Sequence, residues 1–175
     1  MEGRTVIPIE RGVFAQAGKA ALAVLAVLAV GGAGGCAGAQ DVFGDPGAGY
    51  VGDARERVAS ADWPRAETPT VVLSEYAFSP GTLTFRAGTP YRLRIKNGGG
   101  STHFFVSDGF FKAIAPGRLI TRSGETAQPT LKSIALAPGE AKTLEFVPVR
   151  TGAYELECTA PLHAAFGMHG TILIR

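Results

Sequence analysis

The sequence of 175 residues has little cysteine, histidine or methionine: two Cys, three His and two Met. Two cysteines are too few for a framework of disulfide bonds. The chain also lacks an excess of basic residues, since 17 Lys and Arg stand against 15 Asp and Glu. A local basic cluster that could neutralise a phosphate backbone is missing as well, so we expect no nucleic-acid partner.

Glycine and proline are plentiful by contrast, with 24 Gly and 11 Pro. These residues punctuate the chain with turns, which favours many short strands over long helices and makes a helical bundle a poor expectation. The length fits one ordinary domain with additional segments. The positions of the few Cys, His and Met residues are therefore informative.

Residues 1–39 have the pattern of an export signal. Basic residues occur at Arg4, Arg11 and Lys19, an uninterrupted Ala/Leu/Val run fills 20–30, and small residues follow. The apolar run is about half of the roughly 20 residues that span a bilayer, although the Ala/Gly stretch to residue 39 would lengthen it into a retained anchor. We expect an exported, periplasmic protein.

Two cleavage sites are open within this segment. Residues 33–36, Ala-Gly-Gly-Cys, resemble a bacterial lipoprotein box, and residues 37–39, Ala-Gly-Ala, form an A-x-A site. The first would leave Cys36 lipidated as a membrane tether, and the second would discard it. In both cases Cys36 does not pair with Cys158, which is then a lone thiol in an oxidising compartment. A buried inert thiol is the other interpretation of Cys158.

Residues 40–69 have no sustained apolar period and are interpreted as a linker or extension, with a short helix near 54–63 as one option and disorder as another. Residues 70–175 change to short apolar runs cut by Gly, Pro and Asn. In the run 91–96, Tyr91, Leu93 and Ile95 alternate with basic residues, as in a half-buried strand. The spacing predicts an all-β Greek-key sandwich. About eight strands are expected, near 70–75, 83–85, 91–96, 103–106, 132–136, 142–147, 152–158 and 171–175.

The metal-ligating residue types are concentrated in one segment. Cys158, His163, Met168 and His169 lie within twelve residues, in the spacing Cys-x4-His-x4-Met. Pro161 bends the chain after the Cys, so one hairpin loop can direct thiolate, imidazole and thioether at one spot. Two His with one Cys and a weak Met ligand form the blue-copper arrangement. The second imidazole is supplied by His103 at the start of a strand, whereas strand alternation directs His169 away.

These residues resemble the cupredoxin family of type 1 blue-copper proteins, in particular bacterial exported cupredoxin-like domains. The similarity covers about 70–175 and includes the Phe-Ser-Pro at 78–80, the Ala-Gly-Thr-Pro at 87–90, Asn97 and the closing Cys-x4-His-x4-Met. The resemblance implies that His103, Cys158 and His163 are equatorial copper ligands and Met168 the axial one. Many members have Asn directly after the first His, where this chain has Phe104, and that difference bears on redox tuning and the partner.

Other chemistries fit the residues less well. Cys and His also bind zinc, but a Met ligand favours a softer metal. A Cys158–His163 nucleophile would need an oxyanion site and an orienting group that the sequence does not offer. Multicopper enzymes need further histidine-rich centres, which three His cannot supply. We therefore expect no enzyme.

The resulting expectation is a monomeric one-electron carrier with one copper ion and a redox protein as partner, such as a cytochrome or an oxidase. Hydrophobic packing from Phe104, Leu162 and Phe166 would exclude water, and the loop around His163 would form a small apolar docking rim. The main alternative is a copper-delivery module with the same ligands, and a metal-free interaction sandwich is a third.

Overall fold

The computed structural model describes residues 40–45, 48–127 and 129–175. The predicted export signal and Cys36 therefore lie outside the described residues. Among those that are described, no helix is long and apolar enough to cross a membrane.

The strands of the described residues form two six-stranded sheets. The first sheet has the order β1-β9-β6-β11-β12-β4, with β1 (Val42–Phe43), β4 (Thr82–Phe85), β6 (His103–Val106), β9 (Leu131–Leu136), β11 (Gly152–Glu157) and β12 (His169–Ile174). The second has the order β3-β2-β5-β10-β7-β8, with β2 (Thr70–Ser74), β3 (Ala77–Ser79), β5 (Tyr91–Asn97), β7 (Ile114–Thr121), β8 (Gly124–Ala127) and β10 (Ala141–Pro148). Pairing is antiparallel except for β12 with β4 and β2 with β5. The predicted β-sandwich is confirmed.

The sandwich core consists of inward residues from both sheets. On β5, Tyr91, Leu93 and Ile95 are buried, and Arg94 and Lys96 are exposed, as the alternation predicts. Aromatic rings fill the centre, where Phe85 contacts Tyr91, Phe110 and Phe146 at centroid distances of 4.8–5.8 Å. Edge-to-face and offset contacts of this kind add to the burial of apolar surface.

Strands β7 and β8 are absent from the sequence-based prediction. β7 contains Pro116 and Gly117, residues that weaken a strand pattern because proline lacks an N–H donor and glycine has no side chain to pack. The register with β10 shifts between Leu144 and Phe146, next to the position paired with Pro116, so the ladder accommodates the proline. All four residues of β8 are exposed and leave no apolar signal.

The described residues between 40 and 69 form an extension that packs on the sandwich. They include β1, helix α1 (Ala54–Ser60) and a 3-10 turn (Trp63–Arg65). β1 pairs with β9, and Val51 and Val58 pack against Ala115 and Val147. A second helix, α2 (Asp108–Ala113), follows β6 and buries Phe110 and Phe111.

The Trp63 side chain lies on the outer face of the second sheet. Its indole Nε1–H donates to the Val58 carbonyl at 2.9 Å, and the Arg92 guanidinium lies 5.6 Å from the ring centroid. A cation over an aromatic face is an attractive contact. The extension is thus held by polar contacts as well as by apolar ones.

Candidate metal centre

Three of the four predicted ligands lie together at one end of the sandwich. His103 begins β6, Cys158 follows the last residue of β11, and His163 lies in the loop between β11 and β12. β6 and β11 are neighbours in the first sheet. The fold therefore brings together residues that are 55 and 60 positions apart.

The three side chains direct donor atoms at one another. Cys158 Sγ lies 3.8 Å from His103 Nδ1 and 3.6 Å from His163 Nδ1, and the two Nδ1 atoms are 3.2 Å apart. All three residues are buried, with exposed fractions of 0% for His103 and Cys158 and 8% for His163. Within the described part of the chain the Cys158 thiol is free.

This convergence fits a bound metal ion. A neutral imidazole whose Nδ1 is unprotonated can only accept, so two such nitrogens at 3.2 Å repel each other unless a proton or a cation lies between them. Buried polar groups are normally paired with complementary groups. One soft sulfur with two imidazole nitrogens is a donor set that suits copper.

Burial also keeps the first imidazole in its ligating form. Desolvation lowers the pKa of His103, the neighbouring His163 lowers it further, and Glu75 opposes both. A lowered pKa means that the ring is neutral at neutral pH and has a lone pair available.

Met168, the predicted axial ligand, is fully buried at the end of the same loop. Its backbone N–H donates to the His163 carbonyl at 3.0 Å, and its carbonyl accepts from the Cys158 N–H at 3.2 Å. The second bond continues the β11–β12 pairing into the loop. The role of Met168 as a fourth ligand stays a prediction, as do the ligand roles of His103, Cys158 and His163.

The loop between Cys158 and Met168 is fixed largely by its own backbone. Turn hydrogen bonds run from His163 to Ala160, from Phe166 to Leu162 and from Gly167 to Ala164, at 2.9–3.0 Å. Gly167 has φ of +92°, a value that glycine adopts without strain. Leu162 has φ of +68° and no such freedom, so its conformation is imposed by the surrounding turns.

Asn97 fastens the loop that precedes the first ligand. Its side-chain amide donates to the carbonyls of Ser101 and Leu136 at 2.8 and 2.9 Å, and its oxygen accepts from the Gly99 N–H at 2.8 Å. At the position where the resemblance expects Asn, the backbone N–H of Phe104 donates to Cys158 Sγ at 3.4 Å. That contact needs no particular side chain.

The turn between β2 and β3 supplies two residues that the sequence analysis missed. Glu75 accepts hydrogen bonds from the backbone N–H groups of Gly100 and Ser101 at 2.9 and 2.8 Å, and its Oε1 lies 3.3 Å from His103 Nε2. The Ser101 amide is the largest cause of a Glu75 pKa lowered to about 2, with further contributions from backbone N–H groups and His103. The carboxylate is therefore ionised at neutral pH.

Tyr76, the next residue, contacts the second imidazole. Its ring meets the His163 ring edge-on at a centroid distance of 5.1 Å and lies 4.9 Å from the Phe166 ring. Phe166 and Leu162 are 60% and 68% exposed. They therefore border the site at the surface, whereas half-buried Phe104 packs against the core.

His169 is not part of the buried cluster. It is exposed, its Nε2 lies 3.0 Å from the Ala164 carbonyl, and its Nδ1 is 3.8 Å from Glu155. With Glu155 and Glu157 it forms a separate group of potential ligands on the outer face of the first sheet.

Comparison with known proteins agrees with this geometry. A family model described as copper binding proteins, plastocyanin/azurin family, matches residues 74–175, which is more than half of the chain. The matched region contains His103, Cys158, His163 and Met168. A comparison of the sequence with curated proteins gave no match.

Solved structures resemble this chain at low identity. A copper nitrite reductase from Nitrosomonas europaea is 16% identical with a TM-score of 0.50, over 64% of this chain and 50% of that one. A reduced auracyanin from the photosynthetic bacterium Roseiflexus castenholzii is 19% identical with a TM-score of 0.43, over 63% and 98%. A multicopper oxidase from Campylobacter jejuni is 15% identical with a TM-score of 0.49, over 62% and 30%.

This chain thus spans half of the reductase and less than a third of the oxidase. The reductase has a TM-score of 0.50, and at 16% identity this likeness shows a shared fold and does not transfer an activity. The family match, the β-sandwich and the buried cluster of two His and one Cys agree with one another, and the chain belongs to the plastocyanin/azurin family of copper-binding proteins.

Proposed function

We propose that this protein is a periplasmic electron carrier that holds one type 1 copper ion with His103, Cys158, His163 and Met168. The observation that carries the proposal is the buried convergence of a thiol and two imidazole nitrogens within 3.2–3.8 Å. Bound there, copper would supply a one-electron change between Cu(II) and Cu(I). The protein would supply a fixed set of donors and exclude water.

The fixed set of donors is the feature that suits electron transfer. β6 and β11 hold His103 and Cys158, and the turn hydrogen bonds of the loop hold His163. A site that changes little in shape when the metal changes charge has little to reorganise. Rigid secondary structure around the ligands therefore favours a carrier.

Burial distinguishes the carrier from a copper-delivery module. Delivery requires the metal to exchange with a partner's ligands, which favours exposed donors. The predicted ligands are 0–8% exposed. We therefore propose retention of the metal during the functional cycle, and a copper chelator should remove it slowly.

An exposed apolar surface next to His163 is proposed as the docking site for a redox protein. It consists of Tyr76, Pro161, Leu162 and Phe166, and we call it the apolar rim. Leu162 has a left-handed φ, which strains a residue other than glycine, and its side chain is 68% exposed. Packing in the core therefore does not offset the strain. Strain that burial does not explain is typical of functional positions.

The proposal includes a monomer that does not transform a substrate, exported by residues 1–39, with Cys36 as the membrane tether if the lipoprotein site is used. An exported cupredoxin-type carrier needs a redox partner, and small apolar surfaces serve such transient encounters. Fractionation of the producing cell, with mass spectrometry of the mature N-terminus, tests export and lipidation.

The direct test is to add Cu(II) to the purified protein and record visible absorption together with electron paramagnetic resonance. An intense thiolate-to-copper band with narrow copper hyperfine splitting, both lost with ascorbate, is expected. Pale, weakly held copper would contradict the carrier and favour delivery. No specific uptake would contradict the copper site altogether.

A further inference from the structure

Glu75 and His103 are 28 positions apart in the sequence and meet at the metal centre. The Glu75 carboxylate is anchored by the amides of Gly100 and Ser101, so its position does not depend on the imidazole. From that position Oε1 lies 3.3 Å from His103 Nε2. Its side chain is 31% exposed, and the imidazole is completely buried.

His103 Nε2 has no aligned hydrogen-bond partner among the described residues. Glu75 Oε1 is close enough for a strong electrostatic contact, although the alignment falls short of a hydrogen bond. A carboxylate can only accept, so a proton on this ring is favoured at Nε2. That tautomer leaves the Nδ1 lone pair directed at Cys158 and His163.

Gly99 is adapted to this approach. A Cβ atom at residue 99 would lie 2.7 Å from both Glu75 Oε1 and His103 Nε2, closer than real Cβ contacts. The absence of a side chain there lets the carboxylate and the imidazole come together. The neighbouring Gly100 has open space at the same position.

We propose that Glu75 is a positioning residue for the metal centre, which fixes the ligating tautomer of His103 and adds a negative charge that stabilises Cu(II) relative to Cu(I). This inference rests on the proposed copper site. Carboxylates behind metal-bound imidazoles orient the ring and raise its basicity. A nearby negative charge favours the more highly charged metal ion, because the attraction grows with the charge of the cation.

The test compares Glu75→Gln with the parent protein. Gln keeps an oxygen that can accept from Gly100 and Ser101 but removes the charge. Cu(II) affinity should fall about 10- to 100-fold, as for other groups that orient metal ligands, and Cu(I) affinity should fall less. For each factor of ten by which the loss of Cu(II) affinity exceeds the loss of Cu(I) affinity, the one-electron reduction potential rises by about 59 mV.

A metal-free measurement separates positioning from loop support. In long-range proton–nitrogen spectra at fixed neutral pH, parental His103 should be the Nε2–H tautomer. The neutral amide oxygen of Glu75→Gln is a weaker acceptor than the carboxylate, so this variant should show a larger share of the Nδ1–H tautomer. Amide exchange at Gly100 and Ser101 should stay close to parental. A parental tautomer and a parental potential in Glu75→Gln would overturn the inference.

Two matched controls use the same end of the molecule. Glu140→Gln removes a carboxylate that accepts from the Ala137 amide at 2.9 Å, and we expect parental copper affinity and potential. Gly99→Ala keeps the Glu75 charge, but its Cβ forces the carboxylate and the His103 ring apart, so the potential should rise, whereas Gly100→Ala should not change the potential. If Glu75→Gln does not fold, Gly99→Ala and Gly100→Ala provide the test, and equal reduction potentials in these two variants would overturn the inference.

Copper binding by the parent protein separates a failure of this inference from a failure of the proposed function. A parent that binds no copper specifically contradicts the proposed function. A parent that binds copper and matches Glu75→Gln in tautomer, affinity and potential contradicts only the role of Glu75.

Discussion

Two buried polar clusters in this protein are built on opposite principles. On the outer face of the second sheet, Glu145 is 5% exposed and accepts hydrogen bonds from Arg92 at 2.9 Å and Arg118 at 2.8 Å. At the metal centre, Cys158, His103 and His163 approach within 3.2–3.8 Å with no group of opposite charge among them. The first cluster neutralises itself, whereas the second needs a proton or a cation between its two nitrogen atoms.

The difference shows how a polar cluster can be assigned to structure or to function. Polar groups that are satisfied by protein partners account for their own burial. Nitrogen and sulfur atoms that converge with their lone pairs do not, and a bound metal ion would account for their burial. Removing a member of the Glu145 cluster should therefore lower the free energy of unfolding and leave metal binding intact. Removing a ligand at the metal centre should abolish metal binding and change the free energy of unfolding of the metal-free protein less.

The largest expected effect is the loss of the copper signal in Cys158→Ser. A hydroxyl does not form the thiolate-to-copper band, and it is a poor ligand for a soft metal. Visible absorption of the copper-loaded protein measures the loss. His163→Ala should also abolish the colour.

His169→Ala is the matched control for the histidine substitution, because His169 is exposed and lies outside the buried cluster. It should keep the parental band. A parental spectrum in Cys158→Ser would contradict the assignment of the ligands.

The next effect is on stability. Glu145→Gln removes the charge that pairs with Arg92 and Arg118, whose side chains are 35% and 44% exposed. Because these arginines are partly solvated, we expect a loss of about 2 kcal/mol in the free energy of unfolding. Urea unfolding of the metal-free protein measures it, and the copper spectrum should stay parental.

Glu125→Gln is the control for this experiment. Glu125 pairs with Arg118 at 3.1 Å but is 53% exposed, so its removal should change the free energy of unfolding by less than about 0.5 kcal/mol. Equal losses in the two variants would contradict the view that burial makes the Glu145 pairing important.

A smaller change is expected from Met168→Gln. The amide oxygen is harder than a thioether and favours Cu(II), so copper should be retained at a lower reduction potential. Voltammetry of the loaded protein measures the shift. Loss of copper would contradict the role of a weak axial ligand, and an unchanged potential would show that Met168 fills the core without tuning the metal.

The smallest expected effect is on how the free energy of unfolding depends on pH in the acid range. Burial raises the pKa of Glu145, but hydrogen bonds and charge from Arg118 and Arg92 outweigh it and hold the pKa below the ordinary value of 4.5. The carboxylate therefore stabilises the fold above pH 4.5, and this contribution disappears as the pH falls through the lowered pKa. In Glu145→Gln the free energy of unfolding should fall less steeply below pH 4.5, and an identical slope would contradict the lowered pKa.

Much of the sandwich was predictable, because alternation along a strand depends on its immediate neighbours. The run 91–96 predicts the buried face of β5, and Gly and Pro mark its ends. β7 and β8 were not predictable in the same way, since Pro116 and Gly117 interrupt the first and complete exposure removes the apolar signal from the second. Packing against β10 decides the conformation of β7.

The sequence by itself determined the metal-binding loop, because Cys158, His163 and Met168 are separated by spacings that one hairpin loop can bring to one spot. It also indicated His103, through the scarcity of other imidazoles. Only the tertiary structure decided that Glu75 and Tyr76 meet the two imidazoles and that the extension packs on the sandwich. Those contacts join segments distant in the chain, and no local periodicity encodes a distance between strands.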